Sequence, residues 1–346
     1  MTPTYIIGEI GQNHNGSLDI AKLIVDLVSR PIHEETFGLD LTPINAIKMT
    51  KRDLCEELTD SQMKQPYTSP HSFGTTYGKH RTFLELSDEA HHEVYSYTKE
   101  KRLDFIETLC SKGCMTLLKL FTPDYLKVAS RDLTNLPLLD ELAETRIPII
   151  LSTGMAGRKE LDDALAIITR HHSQISILHC VSQYPTQPDN LNLRTITYLR
   201  KHYPQYRIGF SDHTIGIAAP VAAVGMGAEI IEKHITIDRH MKGTDQLGSL
   251  GPDGINRMIR DIRLAERWLG QEDLYIDPSV AIAKEKLERS IATRVALRAG
   301  DIITEDMLHM LSPGNGLKWA ERSQLIGKTV KHDINPNELI RQEDVK

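Results

Sequence analysis

The sequence contains no apolar run near the ~18 residues that a membrane-spanning helix needs. Met1-Thr2-Pro3-Thr4-Tyr5 leads directly into an apolar stretch, without the basic segment and apolar core of a secretory leader. Cysteine is scarce: Cys55, Cys110, Cys114 and Cys180 are the only four, and no two form a CxxC pair. Free thiols in a reducing compartment are therefore expected, not a disulfide framework. Excess positive charge is also missing. The formal net charge is -6, which disfavours a general nucleic-acid role. These absences point to a soluble cytoplasmic protein that partners neither membrane nor nucleic acid. Any anion it binds has to be met by a local group of cations and backbone N–H donors.

What is present is a regular alternation. The 346 residues suit one barrel with a small appendage. Short apolar runs occur at Tyr5–Ile10, Ile44–Met49, Phe105–Leu109, Tyr125–Ala129, Ile147–Leu151, Ile175–Cys180, Arg207–Phe210 and Glu229–Ile235. They lack strict alternation, as strands buried on both faces do. Helical spacing follows at Leu18–Val28, Leu161–Ile168 and Ile255–Leu269, and Pro148, Gly154 and Gly209 are read as boundary punctuation. About eight strand–helix units predict an α/β fold, a (β/α)8 TIM barrel, with a doubly wound open sheet as the alternative. Residues 51–85 form an unusually long connection, a length that is often functional. The expected boundaries are a catalytic barrel over 1–270, a linker over 271–288, and a small β-rich domain over 289–346.

In a barrel, the C-terminal strand ends converge on the active site. Those ends carry Glu9, Lys48, Thr108, Lys127 with Ser130, Ser152 with Thr153, Ser182 with Tyr184, Ser211 with His213, and Glu232 with His234. His213 and His234 close successive strands and can share one divalent metal, although a single histidine is more often a simple hydrogen bonder. Two imidazoles without thiolates favour Mn2+ or Mg2+ with waters, leaving Zn2+ and Co2+ open. Lys48 and Lys127, expected part-buried at the mouth, suit a phosphate or carboxylate; the competing reading is that each snorkels to solvent. Glu9 could orient a water or act as a base, or simply serve a turn rich in Asn and Gly.

The residues also carry a resemblance. Glu9-Ile10-Gly11-Gln12-Asn13-His14-Asn15-Gly16, Pro66-Tyr67-Thr68-Ser69-Pro70-His71-Ser72-Phe73-Gly74, Ser152-Thr153-Gly154-Met155, Ser211-Asp212-His213-Thr214, Glu232-Lys233-His234-Ile235-Thr236, Lys242-Gly243-Thr244-Asp245 and Pro313-Gly314-Asn315-Gly316 together resemble the sialic acid synthases with a C-terminal antifreeze-like (SAF, β-clip) domain. The likeness runs end to end, and the insertion around 66–86 looks like the branch that takes 6-phosphorylated sugars.

The resemblance implies a transferase that condenses phosphoenolpyruvate with N-acetylmannosamine, mannose or a 6-phosphate of either. It would form a nonulosonic acid and release phosphate by C–O cleavage. It implies His213 and His234 as metal ligands, Lys48, Thr108, Lys127, Ser130 and Ser211 as phosphoenolpyruvate contacts, and Tyr184 and Asp245 as sugar contacts. Ser152 and Ser182 join the substrate contacts, with Ser182 standing where relatives often carry Asn. Glu9 would lie by the metal and its water, and Glu232 joins Glu9, Lys48 and Lys127 in the catalytic set. A homodimer is implied in which the SAF domain of one subunit covers the barrel mouth of the other. Arg131 stands in place of Gly and Ser312 in place of Arg, Met49-Thr50 replace an aromatic-Gln pair, and the third strand lacks a usual Pro. These departures lie at the sugar end, with Arg131 a candidate phosphate partner. Rival readings are a metal-dependent barrel aldolase or isomerase acting on a sugar phosphate, a shorter deoxy-sugar-acid synthase, and an ice-active module.

Overall fold

The computed structural model describes residues 2–346, which divide into two compact units, 2–270 and 271–346. In the first, eight parallel strands close into a barrel: β1 (Tyr5–Gly11), β2 (Ala46–Lys51), β3 (Asp104–Leu109), β4 (Tyr125–Val128), β5 (Ile149–Ser152), β6 (Ile175–Cys180), β7 (Arg207–Asp212) and β8 (Ile230–His234). Closure is made by β1 against β8, in the register Tyr5↔Ile230 through Glu9↔His234. The open-sheet alternative is thereby excluded. The helices are α1 (Leu18–Val28), α2 (Tyr77–Leu84), α3 (Asp88–Glu100), α4 (Leu136–Glu144), α5 (Arg158–Ile168), α6 (Arg194–His202), α7 (Ala218–Gly225) and α8 (Pro252–Trp268). No helix among the described residues is long and apolar enough to cross a membrane.

Local sequence explains these elements. The Ser17 hydroxyl accepts from the Ile20 N–H and starts α1, while Ile255, Met258, Ile259 and Ile262 of α8 recur at helical spacing and face the core. Gly209 departs from its reading as punctuation, because it lies inside β7. A Cβ there would sit 2.4 Å from the Ile230 carbonyl oxygen, so glycine permits the close approach of β7 and β8. The connection after β2 is also more ordered than its sequence suggests. It holds short helices at Leu54–Glu57 and Asp60–Lys64 before α2, started by the side chains of Asp53, Thr59 and Thr76.

Inside the barrel the strands change character along their length. Ile7, Ala46, Ile106, Ile150, Leu178 and Ile230 pack together as an apolar floor, with Tyr5 and Tyr125 against it. Two residues further along a strand the side chain returns to the same face. At that level the strands present Glu9, Lys48, Thr108, Lys127, Ser152, Cys180, Ser211 and Glu232.

In the second unit, α9 (Ala281–Leu287) precedes β9 (Ser290–Thr293), which pairs antiparallel with β10 (Leu308–Leu311). Ile291, Leu297, Ile303, Leu308, Leu325, Val330 and Ile340 form its core.

Candidate active site

The polar ring above the floor is the base of a cavity of about 430 Å3, and fourteen of the fifteen site residues named from the sequence line it; Thr153 does not, its hydroxyl donating instead to the Leu178 carbonyl at 3.2 Å. Two lysines and two carboxylates occupy its centre. Lys48 Nζ lies 2.7 Å from Glu9 Oε2 and 3.2 Å from Glu232 Oε1. Lys127 Nζ lies 3.9 Å from the same Glu232 oxygen, and donates to the Ser152 hydroxyl at 2.6 Å and the Val128 carbonyl at 3.1 Å. The Ser211 hydroxyl donates to Glu232 at 2.9 Å.

The lysines are more deeply enclosed than the part-burial expected of them: Lys48 is 6% exposed and Lys127 2%. Neither snorkels, because each ammonium has its partners inside the barrel. Burial pushes the Lys48 ammonium down to about 8, with Glu232 acting against that shift. Burial raises the Glu232 carboxyl, but Lys127 and Lys48 outweigh it and hold the group at about 2. Glu232 is thus a fixed anion and a poor proton acceptor.

Hydroxyls surround this centre. The Thr108 hydroxyl is buried without a partner, a vacancy that a ligand oxygen would fill. Ser130 Oγ accepts from the Gly154 N–H at 2.9 Å. A Cβ on Gly154 would fall 2.5 Å from Ser182 Oγ and 2.8 Å from Ser130 Oγ, so glycine keeps that corner open. Cys180, also in the ring, has its thiol raised by burial.

His213 and His234 face the same cavity from the ends of β7 and β8, with ring centres 5.7 Å apart. His213 Nδ1 donates to the Val181 carbonyl at 2.9 Å, which leaves Nε2 as the lone-pair nitrogen. Burial, then His234, lowers His213 to about 4, and burial lowers His234 as well. His234 Nδ1 is buried without a partner. Two neutral imidazoles, one with its tautomer set, fit a divalent ion. Among the described residues no third His, Cys, Asp or Glu completes a protein cage, so such an ion would keep positions for oxygen ligands. Tyr184 packs against His213 at 4.0 Å between ring centres. A recess of about 110 Å3 shares Tyr184, His213, His234 and Asp245 with the main cavity.

Two lining residues, Arg52 and Arg81, escaped the sequence reading, and Gln12, Thr50, Tyr67 and Thr244 were given no contact by it although its motifs include them. Tyr67 and Arg81 belong to the long connection suspected on length alone. Arg52 carried a positional signal, since it follows Lys48 by the same four positions that separate Arg131 from Lys127.

Known proteins share sequence with both units. Residues 42–273 match the NeuB family and residues 288–346 the SAF domain. The chain is 33% identical over 342 residues to the N-acetylneuraminate-9-phosphate synthase of Homo sapiens, covering 99% of this chain and 92% of that one. It is 30% identical to the N,N'-diacetyllegionaminic acid synthase of Legionella pneumophila over 99% of this chain and 94% of the other. Among solved structures, the N-acetylneuraminic acid synthetase of Leptospira borgpetersenii, in complex with citrate, superposes with a TM-score of 0.66 at 30% identity, over 82% of this chain and 90% of that one. The chain belongs to the NeuB family, with a SAF domain at its C-terminal end.

Proposed function

We propose that this chain condenses phosphoenolpyruvate with an aldose of the N-acetylmannosamine or mannose type, free or 6-phosphorylated, to give a nonulosonic acid and inorganic phosphate. The observation that carries the reading is the buried Lys48–Lys127 pair beside the unpartnered Thr108 hydroxyl. Together they make a cradle for a small dianionic ligand in a cavity closed below by apolar side chains. The named relatives, synthases of sialic-type acids, support it.

In this scheme Lys48 and Lys127 hold the phosphate and carboxylate of phosphoenolpyruvate, helped by the hydroxyls of Thr108, Ser130, Ser152, Ser182 and Ser211. Glu232 holds both ammonium groups in place. Tyr184 and Asp245 orient the open-chain sugar so that its aldehyde carbon faces C3 of the enol ether; holding the two substrates together supplies much of the rate. The new C–C bond moves the carbonyl electron pair onto the aldehyde oxygen, which takes a proton from water to become a hydroxyl, and leaves positive charge at C2. A water then adds to C2 and loses its proton to Glu9. Collapse of the C2 hydroxyl to the ketone expels phosphate with its bridging oxygen, so the C–O bond breaks. The lysines offset the charge that moves onto the departing phosphate. A divalent cation, Mn2+ or Mg2+, held by His213 and His234 would supply Lewis-acid polarisation of the aldehyde oxygen.

Four free thiols support a cytoplasmic setting. Leu274, 99% exposed, and Ile282, 82% exposed, are apolar surface on the C-terminal unit that a homodimer would cover; the arrangement with each SAF domain over the partner's barrel mouth rests on the resemblance alone. The test is phosphate release from phosphoenolpyruvate with Mn2+, with and without each acceptor. Release that requires the acceptor and is lost on chelation supports the proposal. An aldol or isomerase reaction that proceeds without phosphoenolpyruvate would replace it.

A further inference from the structure

The two lysines and two carboxylates of the ring sum to no net charge, and against the one further carboxylate of Asp245 the cavity wall carries three further cations: Arg52, Arg81 and Arg131. Arg52 is one residue past β2, Arg131 lies in the turn after β4, and both strands flank β3. Arg52 and Arg131 each follow a ring lysine by four residues, which is up to about 13 Å of extended chain toward the mouth. The wall is thus layered. Lys48, Thr108 and Lys127 lie in the ring, with Arg52, Cys110 and Arg131 just past the ends of the same three strands.

The guanidiniums are anchored from behind and open in front. Arg52 Nη1 and Arg131 Nη1 share Glu57 Oε1, at 2.6 Å and 3.5 Å. Arg131 also contacts Asp132 at 3.3 Å and Cys110 Sγ at 2.9 Å, and Glu85 accepts from the Arg52 backbone N–H at 3.2 Å. None of Glu57, Asp132 or Glu85 lines the cavity, whereas all three arginines do. Arg52 is 8% exposed and its Nε has no partner, an incomplete state for a buried guanidinium donor. Arg81 is bonded only by neutral groups, the Tyr77 hydroxyl at 2.9 Å and the Gln12 side-chain oxygen. Arg52 and Arg131 meet at Glu57, and Arg81 lines the same cavity. Clustered guanidiniums with free donors form a site for a tetrahedral, multiply charged anion.

The position of the cluster in the barrel restricts which anion. It is centred on β3, and in the closed order β7, which carries His213 at its end, lies four strands away on the opposite wall. We propose that Arg52, Arg81 and Arg131 form a second anion subsite that binds the terminal phosphate of the acceptor sugar, whose aldehyde end lies across the cavity near His213 and His234. The inference rests on the condensation proposed above, and it selects the phosphorylated acceptor among those considered there.

Two arms test it. In the kinetic arm, Arg81→Gln and Arg131→Gln are compared with the unaltered protein on mannose, N-acetylmannosamine and their 6-phosphates. The 6-phosphates should be the better substrates. Each substitution should raise KM for them by about 30-fold, as loss of a charge-assisted hydrogen bond does, with a much smaller change in KM for phosphoenolpyruvate. Equal use of free and phosphorylated sugars, or an equal rise in KM for phosphoenolpyruvate, overturns the subsite. The second arm needs no turnover: calorimetric binding of borohydride-reduced mannose 6-phosphate, which lacks the aldehyde, with inorganic phosphate and reduced mannose as controls. Binding of the reduced 6-phosphate that exceeds both controls and weakens in each variant supports the subsite, even if no condensation is found. Binding no tighter than that of inorganic phosphate, or unchanged in the variants, refutes it, even if condensation is found.

Discussion

Two levels of one barrel differ by a two-residue step along the same strands. At the lower level Ile7, Ala46, Ile106, Ile150 and Ile230 form a dry floor. At the upper level Glu9, Lys48, Thr108, Ser152 and Glu232 occupy the equivalent inward positions. The backbone is parallel β-sheet at both, so the difference lies entirely in side-chain chemistry. The floor stabilises the barrel by removing apolar area from water. The ring contributes little of that, and Lys48 and Glu232 are buried at a desolvation cost that is offset by their pairing with each other and with Glu9, Lys127 and Ser211. The barrel thus separates stability from chemistry along its axis.

The largest way to break this comparison is Lys127→Met, which makes one ring position resemble the floor. Phosphate release should fall by about 1,000-fold or more, measured as kcat/KM for phosphoenolpyruvate, because charge that develops on the departing phosphate loses a fixed cation. The converse change, Ile150→Ser, puts a hydroxyl into the floor. Lost burial and an unpaired polar group should cost about 3 kcal/mol in denaturant unfolding. Two residues along the same strand, Ser152→Ala should cost about 1 kcal/mol of stability or less, while activity falls about tenfold because Lys127 loses the hydroxyl that orients it. If Ile150→Ser and Ser152→Ala affected stability and activity alike, the division between levels would fail.

A further prediction concerns a buried group outside the ring that makes no ion pair among the described residues. His14, in the turn after β1, is 1% exposed, and its Nδ1 accepts from the Gly16 N–H at 3.0 Å. Burial, then His91, lowers it to about 3. A folded-state value below the unfolded one means that the unfolded chain binds more protons between the two. The stability associated with neutral His14 is therefore full above about pH 6.5 and lost as pH falls toward the folded value. Its slope approaches about 1.4 kcal/mol per pH unit. Thermal unfolding followed from pH 7 to pH 5 should show this decline, and His14→Asn should flatten it.

Much of this was legible in the sequence, for a physical reason. A buried strand that ends in a polar residue writes a visible pattern, an apolar run followed by Glu, Lys, Ser or His, and eight repeats of it specified both the barrel and its ring. The extent of Lys48 burial was not legible, because it depends on Glu9 and Glu232, which lie far from it along the chain and reach it only when β1 and β8 close. Arg81 was hidden for a related reason: it sits on α2, well beyond β2, in a connection whose helices are too short to show periodicity. Gly209 was misread because its value lies in an approach to β8 that only the folded barrel creates.

The most direct test of the central claim is isotopic. The reaction would be run in 18O-labelled water with phosphoenolpyruvate, the acceptor and Mn2+, and the products examined by mass spectrometry. Water addition at C2 followed by C–O cleavage leaves the phosphate unlabelled at early times and places the label in the keto acid. Label in the phosphate would mean that water attacks phosphorus, and would contradict the mechanism built on this ring.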